Sequence, residues 1–300
     1  MQIEKAPSFD LLGGNLSLGY SVVESGKWSL TQMYGKGRVK SSVGVTVSAI
    51  DGDVAVTDMD KSVVRIYRND GLLKAEFTVT LGRIFRTLML PSNVLIAPNG
   101  HILVAENSQY IKVYNTQGKC QYQFTAMSPN NKPSDKEETR LGSLTVDNEG
   151  NILVGELKHG YISTMTHDPD SQHKVRHLCS IGTSTDPHFI AVNSHNHILV
   201  TDYKTASLID STGEFIFDLS PPVYVTEWTP AGVCFTRDDE IIVANGNDTK
   251  DAGIFHYSAA GMFLGCITRG VKFPLGIALT DEDKKLVVAD SYNVKVFGLI

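Results

Sequence analysis

The side chains of this sequence best suited to chemistry are spread over loops. Cations stand at Arg38, Arg83, Arg86, Arg140, Lys158, Lys204, Lys250 and Arg269, and aromatic rings at Tyr110, Tyr161, Tyr203 and Tyr292. Cations meet phosphate and exposed rings stack on bases, so the mixture suits single-stranded or looped RNA. It suits a protein hot spot equally, because Tyr and Arg are favoured there. A smaller set, Asn93, Ser143 and His188, could bind a ligand or read a base edge.

Catalytic signatures are missing from the text of the chain. It holds no G-x-S-x-G elbow, no P-loop and no H-E-x-x-H. His195 and His197 flank a turn and read as a surface pair. His167, His173 and His177 fall in an irregular stretch and make at best a loose metal cluster. The four cysteines, Cys120, Cys179, Cys234 and Cys266, form no CxxC pair and have no metal-ligand spacing. Reduced thiols and a cytoplasmic location are therefore expected. No cofactor and no metal are expected either.

The elements that must hold these residues follow from a repeat. V-A-V-T-D at Val54 to Asp58 recurs as I-L-V-A-E from Ile102, I-L-V-G-E from Ile152 and I-L-V-T-D from Ile198. I-I-V-A-N from Ile241 and L-V-V-A-D from Leu286 complete six copies, which start 43 to 50 residues apart. A period in that range built of short strands points to propeller blades. An apolar strand precedes each copy across a polar turn, such as Asp51-Gly52 or Pro98-Asn99-Gly100. A third strand follows, then a turn ending at Gly71, Gly118, Gly213 or Gly261, then a fourth strand. The expected fold is all-β: a six-bladed β-propeller of four-stranded antiparallel blades.

The sixth repeat runs out after its third strand. Gly26 to Met33 matches the fourth strand of the second blade, at Gly118 to Phe124, and is expected to complete the last blade and close the ring. The propeller then covers residues 26–300, and residues 1–25 read as a lead-in or linker remnant.

Composition agrees with a folded soluble domain: 42% hydrophobic residues and 20% charged. No apolar run reaches the roughly 18 residues of a membrane helix, so no membrane is expected. The net charge of −6 argues against a generally basic nucleic-acid binder, and no DNA preference is expected. A closed propeller should be monomeric in isolation.

The residues around each copy also carry a family resemblance. The pattern D/N-x-x-G-x-I-L-V-[Ala/Thr]-D, followed by x-[Val/Ile]-x-[Val/Phe]-[Tyr/Phe], resembles the NHL repeat, and Phe273 to Phe297 is the nearest copy. Six-bladed NHL propellers are best known as the C-terminal domain of TRIM-NHL proteins, behind a RING finger, B-boxes and a coiled coil. The chain has none of the zinc-binding spacing of a RING or B-box. The resemblance therefore implies the targeting module of a ubiquitin ligase and not its catalytic part.

Strand order assigns the loops to two faces. The two hairpin turns of each blade lie at the bottom and are rich in Asp and Glu. The loops between blades and between second and third strands lie at the top, with the cations and tyrosines named above. Asn93, Ser143 and His188 begin inner strands at the channel mouth, with Gly44, Gly232 and Gly276 at the other three mouths. The acids ending the second strands, Asp58, Glu106, Glu156, Asp202 and Asp290, are expected to accept N–H groups of the loop that follows each one. The leading expectation is a non-catalytic module that reads RNA with its top face. The alternative is a protein-interaction propeller recruiting a ubiquitination substrate or adaptor. A metal-dependent lyase or lactonase at the channel mouth comes third.

Overall fold

The computed structural model describes residues 28–36, 38–81, 87–88, 90–126, 140–157, 160–167, 175–183, 186–280 and 283–299. Six four-stranded antiparallel sheets surround a central channel, and no helix occurs among these residues. Each sheet runs in sequence order from the axis outward, except the sixth. There Pro274–Leu279, Lys285–Asp290 and Asn293–Leu299 are completed by Trp28–Tyr34, whose Trp28 pairs with Leu299 and Tyr34 with Val294. The expected closing strand is thus in place, and it removes the open edge that the last blade would otherwise present. A two-stranded ribbon, Thr80–Leu81 with Thr87–Leu88, is added after the first blade.

Burial explains the sequence pattern. Second strands such as Val54–Asp58, Ile102–Glu106 and Ile241–Asn245 are buried at every position because blades cover both faces of them. A strand covered twice reads as a continuous apolar run rather than an alternating one. Outer strands such as Leu73–Thr78 and Cys120–Thr125 alternate between exposed and half-buried positions, since one face meets water.

The glycines of the second hairpin turns do more than turn the chain. Gly71 has a φ of +88° and Gly261 a φ of +78°, in the region glycine enters without cost. Each also lies beneath a side chain from the preceding blade's outer strand. A Cβ on Gly71 would stand 2.7 Å from the Tyr34 ring, and one on Gly261 would stand 2.7 Å from the Phe217 ring. Phe77 over Gly118 and Ile181 over Gly213 repeat the arrangement. Neighbouring blades lock through these contacts.

A second lock runs around the bottom. The first turns of blades two and three place Gly100 and Gly150 at positive φ, whereas blades four, five and six place Asn196, Asp239 and Asp283 there. Those three side chains accept N–H groups from the preceding blade. Asn148 N donates to Asn196 Oδ1 at 3.1 Å, Ser194 N to Asp239 Oδ1 at 2.9 Å, and Arg237 N to Asp283 Oδ2 at 2.6 Å. Left-handed backbone is unfavourable for residues with a Cβ, and here each such residue gains an inter-blade hydrogen bond.

Candidate active site at the channel mouth

Five of the six inner strands shift register against the second strand at the mouth position. The irregularities lie between Ser42 and Val45, Pro91 and Asn93, Leu141 and Leu144, Pro230 and Val233, and Pro274 and Ile277. Bulges of this kind re-aim side chains and backbone groups. The ring they form is tight. A Cβ on Gly44 would stand 2.7 Å from Asn93 Cα, and one on Gly276 would collide with the Val43 carbonyl. Close backbone approach therefore fixes glycine at these two mouths.

The fourth blade keeps a regular register, and His188 stands immediately before its inner strand, Phe189–Val192. Its N–H donates to the Asp186 carbonyl at 2.8 Å and the Thr201 carbonyl at 2.9 Å. The imidazole packs against the Tyr203 ring with centroids 4.4 Å apart. Tyr203 has a φ of +68° and meets Phe189 edge-on, so a strained loop residue holds the ring beside the imidazole. Burial lowers the His188 pKa against the opposing pull of Asp186 and Asp202, which favours the neutral imidazole, the form that can accept a proton.

Asn93 and Ser143 line the wall of the channel, a cavity of about 570 Å³ that runs down to Asn148, Ser194, Arg237, Asp239 and Asp283. Both side chains are nearly buried, at 6% and 4% exposure, and neither has a hydrogen-bond partner among the described residues. Their polar groups open on the channel, where a ligand or ordered water can pair with them.

The acids below the top loops have other duties. Asp58 Oδ2 accepts from Arg65 at 2.7 Å and from the Lys40 N–H at 3.2 Å. Asp290 pairs with Lys295 and accepts from Lys272 N at 3.0 Å. Glu106 pairs with Lys112, and Glu156 accepts from Ser163. Among the described residues Asp202 binds the following loop as expected, through the N–H groups of Lys204 and Thr205 at 2.9 and 2.6 Å. Asp58 and Asp290 instead hold the loop that enters their own blade, because that loop returns beside the end of the second strand. Among the described residues no group of three His, Cys, Asp or Glu side chains is placed to hold a metal. One imidazole, one amide and one hydroxyl at the mouth, with the nearby acids committed, do not fit the metal centre of a metal-dependent lyase or lactonase.

The other sequence-derived candidates do not converge. Arg83, Arg86 and Lys158 lie outside the described residues. Arg38, Arg140, Lys204 and Lys250 are exposed on separate blades, and Tyr292 is 62% exposed. Arg269 is held over the Tyr224 ring, 4.4 Å from its centroid. Tyr110 and Tyr161 are half-buried at the start of third strands, in packing positions. His188 and Tyr203 are the candidates brought into direct contact.

Residues at the foot of the channel were passed over in the sequence. His195 is more than a surface neighbour of His197. Its Nδ1 is 3.0 Å from Asp239 Oδ2, which also accepts from the Ser194 hydroxyl at 2.6 Å. Asp239 lies 45 positions after Ser194, one repeat on, and that spacing was the available signal. Cys234 also lines the channel, its thiol pKa pushed up by burial.

No family model matches the sequence, and no curated protein matches it. Solved structures share its fold. A catalytically inactive histidine-to-alanine variant of virginiamycin B lyase from Staphylococcus aureus, with quinupristin, superposes with a TM-score of 0.61. Its identity to this chain is 16%, over 91% of this chain and 100% of that one. A gluconolactonase from Xanthomonas campestris gives a TM-score of 0.65 at 12% identity, over 91% of this chain and 95% of that one. A further putative gluconolactonase gives 0.63 at 11%, over 93% and 94%. At these identities the likeness establishes the six-bladed propeller. These neighbours are enzyme propellers and not TRIM-NHL propellers specifically, so the expectation of a non-catalytic, RNA-reading ligase module is overturned. The site agrees with that correction: among the described residues the top cations are scattered or engaged, while burial disfavours the charged form of His188.

Proposed function

We propose that this chain is an enzyme of the lyase and lactonase kind, opening a lactone ring at the top of the channel with His188 as general base. The observation that carries the proposal is a half-buried imidazole fixed against Tyr203, one residue before Phe189, where blade four joins the channel wall that Asn93 and Ser143 also line. The solved neighbours that are named as a lyase and as gluconolactonases support it, as does the inactivity of one of them when a histidine is replaced by alanine.

In this mechanism His188 accepts a proton from water while the water oxygen bonds to the acyl carbon. The Asn93 amide N–H and the Ser143 hydroxyl are donors suited to the oxyanion that develops. The ring C–O bond then breaks, and the imidazolium returns its proton to the leaving alkoxide. The product is a hydroxy acid. The Tyr203 ring keeps the imidazole oriented and partly dry, and this dryness is what keeps it neutral before the reaction.

The test is hydrolysis of a panel of γ- and δ-lactones by the purified chain, beside a His188→Gln variant with an unchanged melting temperature. Turnover lost in the variant supports the proposal. Absence of turnover on every lactone, or full turnover in the variant, would overturn it.

A further inference from the structure

A second cavity, of about 350 Å³, lies between the sixth and first blades near the bottom turns, away from the channel mouth. The length of the flanking turns singles out this junction. The first turns of blades two to five close between residues four apart, as in Ala97 to His101 and Asn193 to His197. Blades one and six close theirs one residue later, from Ser48 to Asp53 and from Thr280 to Lys285. The cavity sits between these two longer turns. In addition, the first blade has Gly52, as blades two and three have Gly100 and Gly150, where blades four to six have Asn196, Asp239 and Asp283, so residue 52 supplies no side-chain clasp across this junction.

The lining is chemically lopsided. Val54, Val287 and Val296 form an apolar floor. Lys285 stands on the wall contributed by blade six, half-buried, with no ion pair among the described residues. Facing it is blade one, whose Asp51 and Asp53 are both paired with Lys74. Asp283, beside the lysine wall, accepts from Arg237 N. An uncompensated ammonium above an apolar floor, in a volume at the lower end of small-molecule pockets, favours an anion with an apolar body.

We infer that the junction of blades six and one binds a small apolar carboxylate, its carboxylate on Lys285 and its body on the valine floor. The site is separate from the channel mouth and does not depend on turnover there.

Benzoate is the probe, titrated by calorimetry against the full chain, with benzamide as the neutral control. Saturable benzoate binding is expected. It should weaken about tenfold in Lys285→Met, which keeps the stem and removes the charge, and about as much for benzamide. Ala49→Phe, at an exposed position lining the cavity, should block binding while leaving the charge in place. Binding should persist in His188→Gln, which separates this site from the catalytic one. No saturable binding, equal binding by Lys285→Met, or loss in His188→Gln would overturn the inference.

Discussion

Asp239 of the fifth blade takes two hydrogen bonds from Ser194 of the fourth, 2.9 Å from its N–H and 2.6 Å from its hydroxyl, while its own backbone sits at a φ of +59°. The carboxylate thus ties two blades together from a conformation that disfavours any residue but glycine. Two substitutions separate these effects. Asp239→Gly relieves the backbone and loses only the clasp, at a cost of about 2 kcal/mol. Asp239→Ala loses the clasp and keeps the strain, so it should be destabilised by about 1 kcal/mol more. Denaturant unfolding of both variants measures the difference.

Arg65 is 3% exposed and bridges a fully buried Asp58 and a more exposed Glu76, each at 2.7 Å. Arg65→Met leaves the Asp58 charge buried and unpaired and should cost about 3–5 kcal/mol. Adding Asp58→Asn removes that charge and should restore part of the loss. Chemical denaturation of the single and double variants provides the check.

Asp51 contributes a pH dependence of known sign. Its burial opposes ionisation, but hydrogen bonds from Ser48, Lys74 and the Asp53 N–H lower its pKa from 3.8 to about 2. A carboxyl lowered on folding adds stability above its unfolded pKa and loses it as pH falls through the folded value. Stability should therefore fall between about pH 4 and pH 2. Asp51→Asn should show a shallower decline over that window by thermal melts at each pH.

The donor set at the mouth has a consequence for metals. Its lone imidazole and committed acids leave nothing to assemble a cation site among the described residues. Lactone opening by the purified chain should therefore survive dialysis against a chelator, with kcat unchanged within experimental error. Loss of activity that added metal restores would contradict the site as described.

Much of this architecture is legible before any coordinates. The apolar second strand recurs because every blade buries it on both faces, and the Gly26 to Met33 match identified the closing strand. The mouth positions were placed less well: Asn93 and Ser143 lie inside their inner strands, which begin at Pro91 and Arg140, and His188 stands just before Phe189. The function was not legible. Loop cations look alike in a sequence whether they face one ligand or, like Arg269, cover a neighbouring ring. His188 carries no motif: its neutrality comes from burial and from Tyr203, a contact the sequence does not mark as chemical. The bottom clasp escaped notice for a related reason. Asn196, Asp239 and Asp283 are ordinary turn residues individually, and their role emerges only when adjacent blades are superimposed.

The central claim is that a neutral His188 performs proton transfer at the channel mouth. The most direct test is the pH dependence of kcat/KM for lactone opening, wild type beside His188→Gln. Wild-type activity should rise with pH through a single midpoint below the ordinary histidine value of 6.5, because burial disfavours the imidazolium. The variant should lose that limb together with the activity. A midpoint above 6.5, or the same limb surviving in the variant, would show that another group does the chemistry.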